Sequence, residues 1–151
     1  MMSEEDVQWA LQRSWMSIGS DAGAALTPGV VDGLGMPHPR SYGTFPRVLA
    51  RYVRDTETLS LEDAIRKMTS WPATRMGLDR RGVLQEGAWA DITIFDLNEV
   101  KDRATYDEPF LYPEGIEYVL VNGVIVVEDG GVHTGARPGH VLYGPGRVQE
   151  H

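Results

Sequence analysis

The chain has 151 residues and a formal charge of −8, with 42% hydrophobic and 24% charged residues, which is typical of a globular protein of about one domain. It has no cysteine, so disulfides, thiolate metal ligands and cysteine nucleophiles are excluded. No stripe of Lys and Arg offsets the acidic balance, which argues against nucleic-acid binding. The acidic first residues do not resemble a signal peptide, and no apolar stretch is long enough to span a bilayer. A cytoplasmic protein with no membrane partner is expected.

The first predicted elements are a helix, a short strand and a long loop. Ser3, with Asp6 three residues later, forms a variant of the capping box that starts a helix. The apolar run Trp15–Gly19 fits a short buried strand. Ser20–Pro46 is rich in Gly and Pro and predicts a loop, and loops of such length are usually functional or disordered.

Three helices are predicted next. The first has the i, i+3, i+4 spacing of an amphipathic helix, with apolar residues at Phe45, Val48, Leu49, Tyr52 and Val53. The second begins at the capping pair Ser60 and Asp63 and has the apolar residues Leu61, Ala64, Ile65 and Met68. The third has Pro72 in its first turn and Gly77 at its C-terminal cap. Phe45, Tyr52 and Trp71 are most simply core residues.

The helical patterns end near Leu78–Gly82, and the sequence that follows predicts strands. Trp89–Phe95 is rich in β-forming residues. Asn122-Gly123 separates two apolar runs and predicts a type I′ hairpin, because both residues accept positive φ. We therefore expect two units, residues 1–80 and residues 81–151, the first ending a larger α/β unit and the second belonging to a β-rich one.

Asp21 is the first candidate for chemistry. It follows the predicted strand at the mouth of the long loop, where barrel enzymes place active-site residues. A carboxylate there can take a proton from a metal-bound water and return it to a leaving nitrogen. The alternative is that Asp21 only hydrogen-bonds loop amides.

The second candidate is the loop Met36–Arg40. Pro37 and Pro39 stiffen the backbone around His38, and Arg40 offers a planar fork for a carboxylate. A surface loop shaped by its prolines is the alternative. Metal ligation is poorly supported, because no two of the histidines have His-x-His or i, i+4 spacing and zinc needs three or four ligands. Asp21 is the one candidate ligand in the chain.

Several motifs together resemble the N-acyl-D-amino-acid deacylases, or D-aminoacylases, of the amidohydrolase superfamily. They cover nearly the whole chain in order: 18–21, 38–49, 59–69, 87–92, 102–105, 115–123 and 133–139. The run His38-Pro39-Arg40-Ser41-Tyr42-Gly43-Thr44-Phe45-Pro46-Arg47 points to this subfamily, whereas Gly-x-x-Ala-Asp-Ile and Val-Asn-Gly recur through the superfamily. Ala22 departs from the family, which commonly has Gly after the catalytic Asp, and this puts the path of the loop in question.

The resemblance implies a TIM-like barrel joined to a small β-sandwich, with Trp15–Gly19 as the last barrel strand and Trp89–Val127 in the sandwich. It implies that Asp21 is the general acid/base of a zinc-dependent hydrolase acting on linear amides. Arg40 would grip the α-carboxylate of an N-acyl-D-amino acid, with His38 nearby as a further substrate-binding residue. Zinc would be held by residues of earlier strands, so this chain alone is expected to bind no cofactor.

We expect these residues to be a C-terminal fragment, since a barrel of this type needs about 250 residues. The isolated chain is expected to be inactive and only marginally stable. Two rival functions remain open. One is hydrolysis of cyclic amides, as in dihydropyrimidinases and hydantoinases, against which the His38–Arg40 loop argues. The other is a non-catalytic β-rich interaction module or the relic of a disrupted gene.

Overall fold

A computed structural model describes residues 3–22 and 36–143. The helices are α1 (Glu4–Leu11), α2 (Arg40–Arg47), α3 (Leu61–Met68) and α4 (Ser70–Met76), and a π-helical segment, Val48–Asp55, continues α2. The strands are β1 (Ile92–Phe95), β2 (Ile116–Val121), β3 (Val124–Glu128) and β4 (Val132–His133). No helix among the described residues combines the length and apolarity needed to cross a membrane.

The predicted helix ends are confirmed. Ser3 and Asp6 form the reciprocal capping box at the start of α1. The Ser60 hydroxyl accepts a hydrogen bond of 3.2 Å from the backbone N–H of Asp63 and so caps α3. Gly77 ends α4 in the left-handed conformation, with a φ of 66°. In each case a short polar or small residue satisfies groups that the helix end would leave unpaired.

The loop prediction for Ser20–Pro46 is wrong at its C-terminal end, because Arg40–Arg47 is helical. Pro46 lies inside this helix and is buried, although proline has no N–H to donate to the carbonyl four residues earlier. The π-helical turns begin directly after Arg47, which is consistent with this interruption of the α-helical ladder. Residues 23–35 of the predicted loop lie outside the described part of the chain.

The hydrophobic core joins α1, the π-helical segment and α3. It is formed by Leu11, Val48, Tyr52, Val53, Leu59 and Ala64, with Val7, Ile18, Leu61, Met68 and Leu97 packed against it. Ile65, from the stripe predicted for α3, lines an open groove instead. The other residues of that stripe face the core, as do Val48, Tyr52 and Val53 of the π-helical segment. Phe45 does not, because 43% of its surface is exposed; the prediction that it is a core residue is wrong.

The segment Trp15–Gly19 is not a strand, which corrects the predicted last barrel strand. It has no ladder partner in the described structure, and Trp15 is 65% exposed. A strand needs a neighbouring strand to pair its N–H and C=O groups. Here the backbone instead contacts α3, through a hydrogen bond of 3.1 Å from the Ile18 N–H to the carbonyl of Lys67.

The second half forms one antiparallel sheet in the order β1-β2-β3-β4. The predicted hairpin between β2 and β3 is confirmed, with φ of 49° at Asn122 and 82° at Gly123. Trp89 lies outside β1, which starts at Ile92. The two halves are joined by Arg54, whose Nη1 donates to the carbonyls of Leu97, Asn98 and Val100 at 2.7–3.3 Å.

Candidate functional site

Asp21 lies at the end of the first described segment, three residues beyond the anchored Ile18. Its backbone has a φ of 50°, a left-handed conformation that Asp tolerates better than most residues. Its side chain is 89% exposed. The carboxylate is therefore presented to solvent on a bent backbone, where a small molecule can reach it.

Arg40, the first residue of α2, lies beside Asp21. Its Nη2 is 3.3 Å from Asp21 Oδ2, and its side chain is 44% exposed. The structure thus brings together two of the three residues predicted for the site. An ion pair this exposed is worth at most about 1 kcal/mol, so an incoming carboxylate can displace it.

His38 is held in a defined orientation by its own loop and by the second half of the chain. Its Nδ1 accepts a hydrogen bond of 3.0 Å from the backbone N–H of Arg40, and its Nε2 lies 2.9 Å from the hydroxyl of Tyr106. In the neutral ring the proton must then be on Nε2, which donates to the Tyr106 oxygen. The hydroxyl proton of Tyr106 remains able to point towards a ligand.

Tyr106 was not singled out from the sequence, and it reaches the site because its segment packs on α2. Gly43 is buried in α2, and a Cβ there would be 3.2 Å from Cβ of Asp102. Asp102 also accepts a hydrogen bond of 3.1 Å from Arg47. The sequence feature that could have pointed to Tyr106 is the 102–105 motif. This motif precedes Tyr106 in the sequence and packs against α2 in the structure.

Further along α2, Tyr42 packs edge-on against Phe110 and Tyr112, at ring-centroid distances of 6.1 and 5.3 Å. Burial, and then the neighbouring Tyr112 phenol, raise the pKa of the Tyr42 phenol above its ordinary value. Together with the contact of Gly43 on Asp102, this aromatic contact packs α2 against residues 102–112. It therefore supports the position of Arg40 at the start of the helix.

The described residues do not by themselves fit a zinc ion. Within residues 3–22 and 36–143 no group of three His, Cys, Asp or Glu side chains is close enough to hold a metal. Structural and catalytic zinc sites need at least three protein ligands. Asp21 contributes one carboxylate, and His38 uses its ring nitrogens on Arg40 and Tyr106.

An open groove with a volume of about 650 Å³ lies between α3 and β1. Its walls are mainly apolar and include Leu61, Ile65, Val83, Ile92 and Phe95. None of the candidate site residues lines it. The mainly apolar groove offers few groups that could catalyse a reaction. The charged surface around Asp21 and Arg40 is therefore the better candidate for an active site.

The family profile described as "Amidohydrolase family" matches residues 23–127, more than half of the chain. The chain belongs to the amidohydrolase family. This amidohydrolase chain is 45% identical to an N-acyl-D-glutamate deacylase of Alcaligenes xylosoxydans xylosoxydans, over 93% of the chain and 27% of the relative. It thus spans only about a quarter of the length of that relative.

Solved structures agree with the family assignment. A D-aminoacylase structure described for the functional role of its binuclear metal centre is 43% identical, with a TM-score of 0.78 over 90% of this chain and 27% of that one. An N-acyl-D-glutamate deacylase from Bordetella bronchiseptica, complexed with zinc and a phosphonate mimic of the tetrahedral intermediate, is 44% identical. Its TM-score is 0.73, over 86% of this chain and 27% of that one. The amidohydrolase chain therefore has the same arrangement of elements as the matching part of these deacylases.

Proposed function

We propose that residues 1–151 form the C-terminal part of an enzyme that hydrolyses the linear amide of N-acyl-D-amino acids. The observation that carries this proposal is the pair formed by Asp21 and Arg40, an exposed carboxylate 3.3 Å from an exposed guanidinium. The carboxylate of Asp21 can transfer a proton, and the guanidinium of Arg40 can bind an anionic substrate. The identity with two deacylases over most of the chain supports this choice of substrate.

In the proposed reaction Asp21 is the general acid/base. Its carboxylate accepts a proton from the attacking water and delivers it to the nitrogen of the leaving amino acid. Zinc bound to such an enzyme makes water a better nucleophile at neutral pH. The contribution of this chain is the proton transfer at the carboxylate of Asp21.

Arg40 binds the α-carboxylate of the substrate through its planar fork of N–H donors. His38 assists in two ways. It accepts the backbone N–H of Arg40, which fixes the start of α2, and it holds the hydroxyl of Tyr106 at the same surface. The ion pair between Arg40 and Asp21 opens when a substrate carboxylate arrives and frees the carboxylate of Asp21 for proton transfer.

We also infer the place of these residues in a larger fold. Residues 1–80 belong to the end of a TIM-like barrel, and residues 81–151 belong to a small β-sandwich. The helices before Gly77 and the antiparallel sheet after Asp91 support this division.

The test uses the complete enzyme that contains these residues, assayed with N-acetyl-D- and N-acetyl-L-amino acids. Asp21→Asn keeps the shape of the side chain and is expected to lower kcat by about 10²–10⁴-fold, the usual contribution of general acid–base catalysis. Arg40→Ala is expected to raise KM roughly 10- to 100-fold, the range for a lost hydrogen bond to a charged group. Arg80→Ala, an exposed arginine on another loop, is the control and should change neither constant.

Two results would overturn the proposal. Full activity of Asp21→Asn would remove the carboxylate from the mechanism. Faster turnover of a hydantoin or dihydropyrimidine than of any N-acyl-D-amino acid would favour a cyclic-amide hydrolase instead. The isolated 151-residue chain is expected to give no turnover above background, and activity there would contradict the need for ligands outside it.

A further inference from the structure

The backbone that leads to Asp21 is held by side chains of α3 and α4. Three consecutive carbonyls each accept a hydrogen bond from one of these side chains. Lys67 Nζ donates to the carbonyl of Arg13, Arg66 Nη2 donates to that of Ser14 at 2.9 Å, and Trp71 Nε1 donates to that of Trp15 at 3.0 Å. We refer to Arg66, Lys67 and Trp71 as the carbonyl clamp.

Lys67 is the most unusual member of the clamp, because it is fully buried. Burying an ammonium group costs several kcal/mol unless it is paired and hydrogen-bonded. Its partners are the carbonyl of Arg13 and the carboxylate of Asp63, whose Oδ2 is 3.4 Å from Nζ. A buried methionine or leucine would fill this space without that cost, so the ammonium must serve the contact with the backbone.

Asp63 organises two members of the clamp. Its Oδ1 accepts hydrogen bonds from Arg66 Nε at 3.0 Å and from Arg66 Nη2 at 2.8 Å, while its Oδ2 faces Lys67. The third member is tied to the same group, because the guanidinium of Arg66 stacks 5.3 Å from the ring of Trp71. These contacts orient the three donor side chains towards the carbonyls that they bind.

The clamp ends close to the candidate catalytic group. The N–H of Ile18 donates to the carbonyl of Lys67 itself, so α3 holds the segment at both Arg13 and Ile18. Asp21 is three residues further on, and three extended residues span at most about 10 Å. The carboxylate-bearing Asp21 therefore lies within about 10 Å, along the chain, of a backbone group that α3 holds.

We propose that the carbonyl clamp, with Lys67 at its centre, consists of positioning residues that set the location of Asp21 for proton transfer; this rests on the proposed function. The clamp does not touch the substrate. The clamp hydrogen-bonds the segment between α1 and Asp21 to α3 and α4, which limits how far that segment can move. A misplacement of about 1 Å in a catalytic group can cost ~100-fold in rate, so loss of the clamp should be visible in kcat.

The first experiment compares Lys67→Met with Arg75→Met in the complete enzyme. Arg75 also stacks on the Trp71 ring, at 5.8 Å, and serves as the control. Lys67→Met is expected to lower kcat about 100-fold with KM changed less than about threefold, because Arg40 lies on a different helix. Amide exchange of a peptide covering residues 13–20 should accelerate at least tenfold in Lys67→Met, and Arg75→Met should match the wild type in every measurement.

A second variant covers the case in which Lys67→Met fails to fold. Trp71→Phe keeps an aromatic ring, although a smaller one, and removes the indole N–H that donates to the carbonyl of Trp15. It should show the same pattern, a lower kcat and faster exchange of residues 13–20 with a nearly constant KM, to a smaller degree.

The outcomes separate the two proposals. Unchanged exchange in both variants would overturn the clamp. Faster exchange with unchanged kcat would overturn its positioning role. If the wild-type enzyme hydrolyses no N-acyl-D-amino acid, the proposed function fails, while the exchange data still decide whether the clamp holds the segment.

Discussion

Gly115 offers a sharp test of how the second half of the chain packs. Its φ is 75°, and a Cβ added there would lie 2.3 Å from Val100 N and 2.5 Å from Glu99 C and Val100 Cα. All three are backbone atoms, so no side chain can rotate away. Val100 is fully buried, which leaves its backbone little room to move. Gly115→Ala should therefore force the backbone apart at this point.

The expected cost has two parts. Placing a residue with a Cβ in the left-handed region costs about 1–2 kcal/mol. Overpacking a dense interior typically costs a further 1–3 kcal/mol, so Gly115→Ala should destabilise the fold by about 2–5 kcal/mol in total. Gly123 isolates the first part, because its φ is 82° and a Cβ there would meet no atom within 4 Å. Gly123→Ala should therefore cost only about 1–2 kcal/mol.

The assay is urea unfolding of the purified protein, followed by tryptophan fluorescence. The difference between the two variants in free energy of unfolding measures the steric part alone. At an unchanged m-value, the midpoint for Gly115→Ala should fall well below that for Gly123→Ala. Equal midpoints would refute the close packing of Gly115 on Val100.

The remaining predictions concern single contacts. Arg54→Met should lower the free energy of unfolding by about 1–3 kcal/mol, because it leaves backbone carbonyls near Val100 without their donor. Arg51→Met, which removes an exposed ion pair, should cost less than about 1 kcal/mol in the same urea assay, and a similar loss for both would contradict the role of Arg54. The charge of Asp129 and its hydrogen bond raise the pKa of the Tyr118 phenol. Asp129→Asn should lower that pKa towards its ordinary value, so that the Tyr118 phenolate forms at lower pH in an NMR titration; an unchanged titration would refute the coupling.

Features formed by residues close together in the chain were predicted correctly from the sequence. The caps at Ser3, Ser60 and Gly77 depend on residues only a few positions apart, and so does the Asn122-Gly123 turn. Such features need no distant partner, because the side chain and the backbone group that it satisfies lie in the same turn. The helical pattern from Val48 to Val53 was equally readable, since its apolar side alone defines the buried face.

Where a distant partner decides the structure, the sequence was insufficient. Trp15–Gly19 has the composition of a strand but pairs with no strand in the described structure, and its backbone bonds α3 and α4 instead. Proline and glycine made residues up to Pro46 look like loop, yet α2 starts at Arg40 because Gly43 and the Tyr42 face pack on residues 102–112.

The sequence by itself determined the Asn122-Gly123 turn, the helix caps at Ser3, Ser60 and Gly77, the family resemblance and the candidates Asp21, His38 and Arg40. Only the tertiary structure decided that Asp21 and Arg40 form a pair, that Tyr106 meets His38, and that a buried Lys67 holds the backbone before Asp21. The physical reason is that these contacts join residues far apart in the chain. Their geometry depends on how whole elements pack, which no local pattern of residues encodes.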